Sequence, residues 1–187
     1  MAADPRSLDP HAVIVCRDAR AEDLRAVTTL HIRAWQHAYR GLVPQKHLDS
    51  LDVEEAITRR AVGWPWPGSL VAELDGVVAG WAAVGPYRYE GCPPGSGEIY
   101  AIYVHPEYWS AGVGRCLLQH SLDRLTDMRL APIFLWVLGN NVRARRFYEM
   151  AGFAADGAEE GFEVGDAVVP EVRYRYTGLR GPVGVPS

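Results

Sequence analysis

Two glycines one residue apart, Gly112 and Gly114, stand between a β-rich run and an apolar helical pattern. The stretch reads Glu98-Ile-Tyr-Ala-Ile-Tyr-Val-His-Pro-Glu-Tyr-Trp-Ser-Ala-Gly-Val-Gly-Arg115. Glycine lets a backbone come close to a ligand and take turn geometry. A helix starting there presents unpaired N–H groups and a partial positive charge, which together suit a pyrophosphate. The stretch is not a P-loop, because a Gly-Lys-Ser/Thr ending is missing. It is not a full dinucleotide fingerprint, because Leu117 fills the third glycine position. On the glycines alone, a structural turn and a phosphate site both stay open. About 30 residues on comes Asn141-Val-Arg-Ala144-Arg-Arg-Phe147-Tyr148-Glu-Met-Ala-Gly152-Phe153. Asn141, ahead of a helical run, can cap it or bond a neighbouring strand's backbone. Phe147 reads as core. Tyr148, beside it, points elsewhere and can carry a free phenol.

The elements that must hold these residues follow from periodicity. Residues 12–17 (AVIVCR) predict a strand. Cap-type residues at 18–23 then open a helix with Leu24, Val27, His31, Ala34 and Ala38 on one face. Trp35 and Tyr39 form an i, i+4 pair beside that stripe. Gly41 and Pro44 end it, and a shorter helix is expected over about 53–62. Trp64-Pro-Trp-Pro-Gly68 cannot be regular structure, and reads as a packed loop or a substrate lid. Two apolar runs joined by Asp75-Gly76 predict a β-hairpin. Residues 86–97 read as a loop and 98–104 as a strand. Val113, Leu117, Leu118, Leu122 and Leu125 make a helical stripe after the glycines. The unbroken apolar run Ile133–Leu138 reads as a strand buried on both faces. A helix over 141–151 closes at Gly152, and two terminal strands follow. Strand–helix–strand order in the second half implies parallel pairing through a right-handed crossover.

Composition sets outer bounds. The chain has 187 residues, 48% hydrophobic and 22% charged, which suits one domain with an ample core. Net charge is −4, so a basic nucleic-acid footprint is not expected. Lys46 is the sole lysine among 19 basic residues, an arginine bias that reads as genomic. No apolar run approaches the ~20 residues of a spanning helix, and no secretory h-region is visible, so a cytoplasmic protein without a membrane partner is expected. Cys16, Cys92 and Cys116 are odd in number and lack CxxC spacing. They read as three reduced thiols, with neither disulfide nor zinc. His31 and His37 are six apart, which does not suit a metal, and His105 and His120 read as surface or loop residues. Arg143, Arg145 and Arg146 read as a solvated helix face, with contact to a 3′-phosphate as the alternative.

The two chemistry-bearing stretches, taken together and in order, resemble the GNAT superfamily of N-acetyltransferases. Trp35-Gln-His-Ala-Tyr-Arg-Gly-Leu-Val-Pro44 is also similar to a segment of many small bacterial members. The match runs from about residue 13 to 176. It implies an α/β fold (α+β in some schemes): a mixed, mostly antiparallel sheet of six to seven strands, flanked by helices and splayed around a coenzyme A cleft. The domain would span 12–176, with flexible tails at 1–11 and 177–187. The cosubstrate would be acetyl-CoA, with no metal.

Residue by residue, the family pattern R/Q-x-x-G-x-G/A falls on Trp109-Ser-Ala-Gly112-Val-Gly114, with Trp109 in place of Arg or Gln. Trp109, Ala111, Gly112, Val113, Gly114 and Arg115 would meet the pyrophosphate, mainly through backbone amides. Ile102, Tyr103 and Val104 would hold the pantetheine along a strand edge. Asn141, Ala144 and Tyr148 would lie near the pantetheine and sulfur. Glu98 would be the base that deprotonates the amine and Tyr148 the acid that protonates the departing thiolate. A backbone N–H near residues 102–104 would polarise the thioester carbonyl. Trp35 and Tyr39 would line the acceptor pocket. The resemblance implies acetyl transfer to a primary amine of a small molecule or peptide, by direct attack in a ternary complex, with a homodimer among the assemblies relatives form. An idle coenzyme A-binding module of the same fold is the alternative.

Overall fold

The computed structural model describes residues 12–178. The expected tail at 1–11, and residues 179–187 of the one expected at 177–187, lie outside the described residues. Seven strands form one sheet in the order β1-β2-β3-β4-β5-β7-β6. They are β1 (Ile14–Asp18), β2 (Ser69–Leu74), β3 (Val77–Pro86), β4 (Gly97–Val104), β5 (Ile133–Leu138), β6 (Phe153–Val164) and β7 (Ala167–Tyr176). The helices are α1 (Leu24–Ala38), α2 (Gln45–Asp49), α3 (Val53–Ala61), α4 (Val113–Asp127) and α5 (Val142–Met150). Among the described residues no helix is long and apolar enough to cross a membrane.

The β2–β3 turn is the expected hairpin. Asp75 and Gly76 both take positive φ, 51° and 80°, the twist a two-residue turn needs. The two faces of this hairpin are then covered differently. Leu70, Ala72, Ala79 and Ala82 meet Val113 and Leu117 of α4. Val71, Trp81 and Ala83 meet Val27 and Leu30 of α1. The whole predicted α4 stripe is buried, worth roughly 1.5–3 kcal/mol per side chain before entropy. It continues onto β5 through Ile133, Leu135 and Val137, with Tyr148 and Phe153 closing the cluster. The sheet therefore carries α4 and α5 on one face and α1–α3 on the other.

Three expectations need correction. The parallel pair is β4–β5 only; β5 and β6 do not pair, because the long β6–β7 hairpin folds back and inserts β7 between them. The five-residue α2, unforeseen after Pro44, exists because Leu48 buries itself completely beside Val43, Leu138 and Val164. Cys16 and Cys116 are not free thiols. They form a disulfide, Cα–Cα 6.6 Å, because α4 starts over β1; a separation of 100 residues could not signal this. His120 lies beside them, the three ligand atoms within 4.8 Å of one another. Cys92 is free.

Gly80 on β3 is where α4 presses closest. A Cβ there would lie 2.7 Å from Leu117 and 2.8 Å from Val113. Gly80→Val should therefore lower stability by about 1–3 kcal/mol through overpacking, read as a drop in Tm. An unchanged Tm would mean that α4 is not seated this way.

Candidate active site

The site begins where β4 and β5 part. They pair in parallel at only three positions, Gly97↔Ile133, Glu98↔Phe134 and Ile99↔Leu135. Beyond Ile99, β4 runs on beside β3, with a register shift that sets Ala83 against Ala101 and Val84 against Ile99. β5 runs on beside β7 as far as Leu138↔Glu171. The edge of β4 over residues 100–104 is thus unpaired toward β5; Trp109 takes Val104 O, and no strand bonds the main-chain groups before it.

The gap leads to the start of α4. Gly112, the N-cap residue, has φ 93°, which a side chain would strain. No side chain caps this helix, and the first bond back to the cap is Cys116 N–H to Gly112 O at 3.0 Å. The amides of Val113, Gly114 and Arg115 precede that bond, so the first turn offers several donors with the positive end of the helix dipole behind them. A Cβ on Gly114 would meet Phe147 and Val104 only at 3.6 Å. Glycine there leaves room rather than relieving a clash.

Trp109 behaves differently from the Arg or Gln it replaces. Its Nε1 donates to Val104 O at 2.9 Å, tying the loop to the end of β4. Its ring receives the Arg143 guanidinium at 3.3 Å and the edge of His37 at 4.7 Å. The cation at this corner is therefore Arg143. The arginine run is not a uniformly solvated face: Arg145 donates to Tyr174 Oη and Gly139 O, each at 2.9 Å. Asn141 caps α5, its Oδ1 accepting from Ala144 N–H at 3.1 Å. Ala144 packs against the β5 cluster.

Three phenols converge from both faces of the sheet. Tyr148 comes from the α5 side, 9% exposed in an apolar cluster. Burial, with the nearby Tyr103 phenol, raises it well above the ordinary tyrosine range, so it stays protonated at neutral pH. Tyr103 and Tyr39 face it from the α1 side, hydroxyls 3.4 Å apart, both raised by burial. Tyr39 also packs edge-on against Trp35 at 4.9 Å. Tyr103 stacks on Trp81 at 6.2 Å and packs at a tilt against His31 at 4.5 Å.

Glu98, near the start of β4, is a buried carboxylate. It is 1% exposed and clasped by Arg88, whose Nη2 lies 2.7 Å from Oε1 and whose N–H donates to Oε2 at 3.1 Å. Sequence reasoning missed a second carboxylate, Glu171. It pairs with Leu138, two turns of the pleat beyond Phe134, the partner of Glu98. Both carboxylates therefore lie on the α1 face, one on each side of the parting strands. Burial and the carboxylate of Glu160, directly opposite on β6, push Glu171 up to about 7, while Arg88 pulls it back down. Only strand register reveals it; β7 carries no motif.

Comparison with known proteins agrees with this architecture. The model of the Acetyltransferase (GNAT) family matches residues 24–153. The uncharacterized N-acetyltransferase YuaI of Bacillus subtilis is 31% identical over 162 residues, 86% of this chain and 91% of that protein. The PaiA N-acetyltransferase of Thermoplasma acidophilum, solved with coenzyme A, superposes with TM-score 0.67 at 18% identity, over 88% of this chain and 99% of that one. Salmonella typhimurium YncA, solved with its cofactor acetyl-CoA, gives 0.66 at 20%, over 91% and 96%. The fold is that of an acetyltransferase. This chain belongs to the GNAT family and is an N-acetyltransferase.

Glu171 supplies a pH test. Its carboxyl is raised from 4.5 to about 7 in the fold, so the folded state binds the extra proton between those values. Its contribution to stability is complete below about 4.5 and is lost as pH rises through about 7. Glu171→Gln should flatten that decline in unfolding free energy. Arg88→Gln should move the Glu171 titration still higher, followed by carboxyl NMR; a downward move would sink the assignment of Arg88 as the lowering charge.

Proposed function

We infer that this enzyme moves the acetyl group of acetyl-CoA directly to a primary amine of a small molecule or peptide, within a ternary complex. The observation that carries this reading is the parting of β4 and β5. It joins the first amides of α4 to a place where Tyr148 from one face comes near Tyr39 and Tyr103 from the other, with Glu171 beside those two. The amides of residues 112–115 would take the pyrophosphate, with Arg115 and Arg143 as nearby cations, while Ala111, whose N–H donates to Tyr108 O at 3.3 Å, would flank them. The free edge of β4 at Ile102, Tyr103 and Val104 would hold the pantetheine and turn an N–H toward the thioester oxygen.

An alkyl ammonium, with pKa near 10.4, must lose a proton before it attacks. Glu171 answers this need better than Glu98, because a carboxyl titrating near 7 can accept a proton at working pH, whereas Glu98 is committed to Arg88. Glu171 would take the ammonium proton, directly or through water, and release it to solvent; as the N–C bond forms and the C–S bond breaks, it would take the second nitrogen proton in the same way. The thiolate would take the Tyr148 phenol proton. Trp35 and Tyr39 would wall the amine side. The acidic net charge of −4 is compatible with a cationic acceptor.

Three variants test this reading. Gly112→Glu sets a carboxylate against the pyrophosphate and a side chain at positive φ, so acetyl-CoA affinity should fall by about ten-fold or more, measured by calorimetry. Tyr148→Phe should lower kcat by about a hundred-fold, within the range for proton transfer; an undiminished rate removes the acid. In the wild type kcat/KM should rise with pH through about 7, and Glu171→Gln should erase that limb. If Glu98→Gln erases it instead, Glu98 is the base.

A further inference from the structure

Beside the cleft, on the α1 face and sharing Trp35 with it, lies a cavity of about 370 Å³ between α1, α2 and α3. Its floor is Arg60, and no acidic residue lines it. Arg60 is 8% exposed, although arginine is among the residues least often buried without a partner. One amino group, Nη2, is 2.6 Å from His31 Nδ1. Burial and the Arg60 charge hold His31 near 3, so at neutral pH the imidazole is uncharged and accepts this bond. Arg60 itself falls only to about 10 and stays a cation. Its guanidinium carbon sits 4.5 Å over Trp81, 5.0 Å over Trp66 and 5.8 Å over Trp64. Its other amino group, Nη1, is buried with no hydrogen-bond partner. Among the described residues no carboxylate acts on it.

Three indoles offset part of the cost of burying this charge. They do not satisfy Nη1, and a buried donor left unmade costs about 1–3 kcal/mol. A guanidinium with an unmade bond, in the wall of a cavity that also holds a second arginine (Arg59) and no acid, is complementary to an oxyanion. We propose that this cavity is a binding site for a carboxylate or phosphate group, with Arg60 as its counter-charge. Two sources fit that chemistry. The group belongs to the acceptor itself, or to a separate small anion. Proximity makes the first possible to test, because His31 and Trp81, which flank Arg60, both pack against Tyr103 at the edge of the cleft. Only that arm rests on the acyl-transfer reading above.

The probes are glutarate and inorganic phosphate, titrated against tryptophan fluorescence, since Trp66 at the cavity is 37% exposed and reports occupancy. Either probe should give a saturable change in the wild type. Arg60→Gln should weaken it at least about ten-fold, as for a lost charge-assisted bond. Because Arg60 is buried and that variant can fail to fold, a second variant is Ala56→Glu, at a half-buried position in the wall of the cavity. Its carboxylate would occupy the site and displace the probes equally. No saturable signal with either probe overturns the proposal, as does undiminished affinity in a folded Ala56→Glu. Acetylation of paired amines, with and without a carboxylate, separates the sources. A rise in KM for the carboxylated amine alone in Ala56→Glu assigns the oxyanion to the acceptor. Unmoved KM for both, with probe binding lost, assigns it to a separate anion. Probe binding without acetylation of any amine sinks the catalytic reading and leaves the site standing.

Discussion

Everything in the site depends on two adjacent parallel strands that stop pairing after three residues. A sheet normally satisfies its own backbone and separates its two faces. Where β4 leaves β5, it does neither. The main chain of β4 past Ile99 has no strand to bond on that side, and side chains from opposite faces come within reach of each other. Tyr148 packs under the sheet with α5, whereas Tyr39 and Tyr103 lie over it with α1, yet the three phenols influence one another's ionisation. Chemistry that needs an acid and a base on either side of one bond finds both only at such a gap.

The gap is held open from both sides. On the β3 side, the register shift at Ala83/Val84 turns β4 so that Ile99 faces α5 while Ala101 and Tyr103 face α1. On the other side, β7 pairs with β5 over five residues and carries it away from β4. Burial then does the electrostatic work. It raises the phenols, so that they hold their protons at neutral pH, and it raises Glu171, whereas the guanidinium of Arg88 commits Glu98 to an ion pair.

Much of the fold was legible in the chain because its signals are local. Asp75-Gly76 requires a tight turn whatever surrounds it, and the α4 stripe has one helical period and one apolar face. The α4 end of the candidate site was legible for the same reason: its two glycines and helix start are contiguous, as is the Asn141–Gly152 segment. Glu171 was not, because its neighbours Glu160, Glu98 and Arg88 come from three other parts of the chain. Arg60 likewise looks like a surface residue of an amphipathic helix until Trp81, Trp66 and His31 close around it. Trp109 shows the limit from the other direction. It was visible as a departure from the family pattern, but its role as a tie to Val104 needed the coordinates.

The sequence by itself determined every element but α2, their order, the glycine-led start of α4 and the family, since each rests on residue types at fixed short spacings. Only the tertiary structure decided which carboxylate titrates near neutrality, which cysteines meet, where β7 inserts and which arginine is left with an unmade bond. Those outcomes depend on desolvation and on charges brought together across the sheet. Burial and through-space distance are properties of the packed chain, and no spacing along it encodes them.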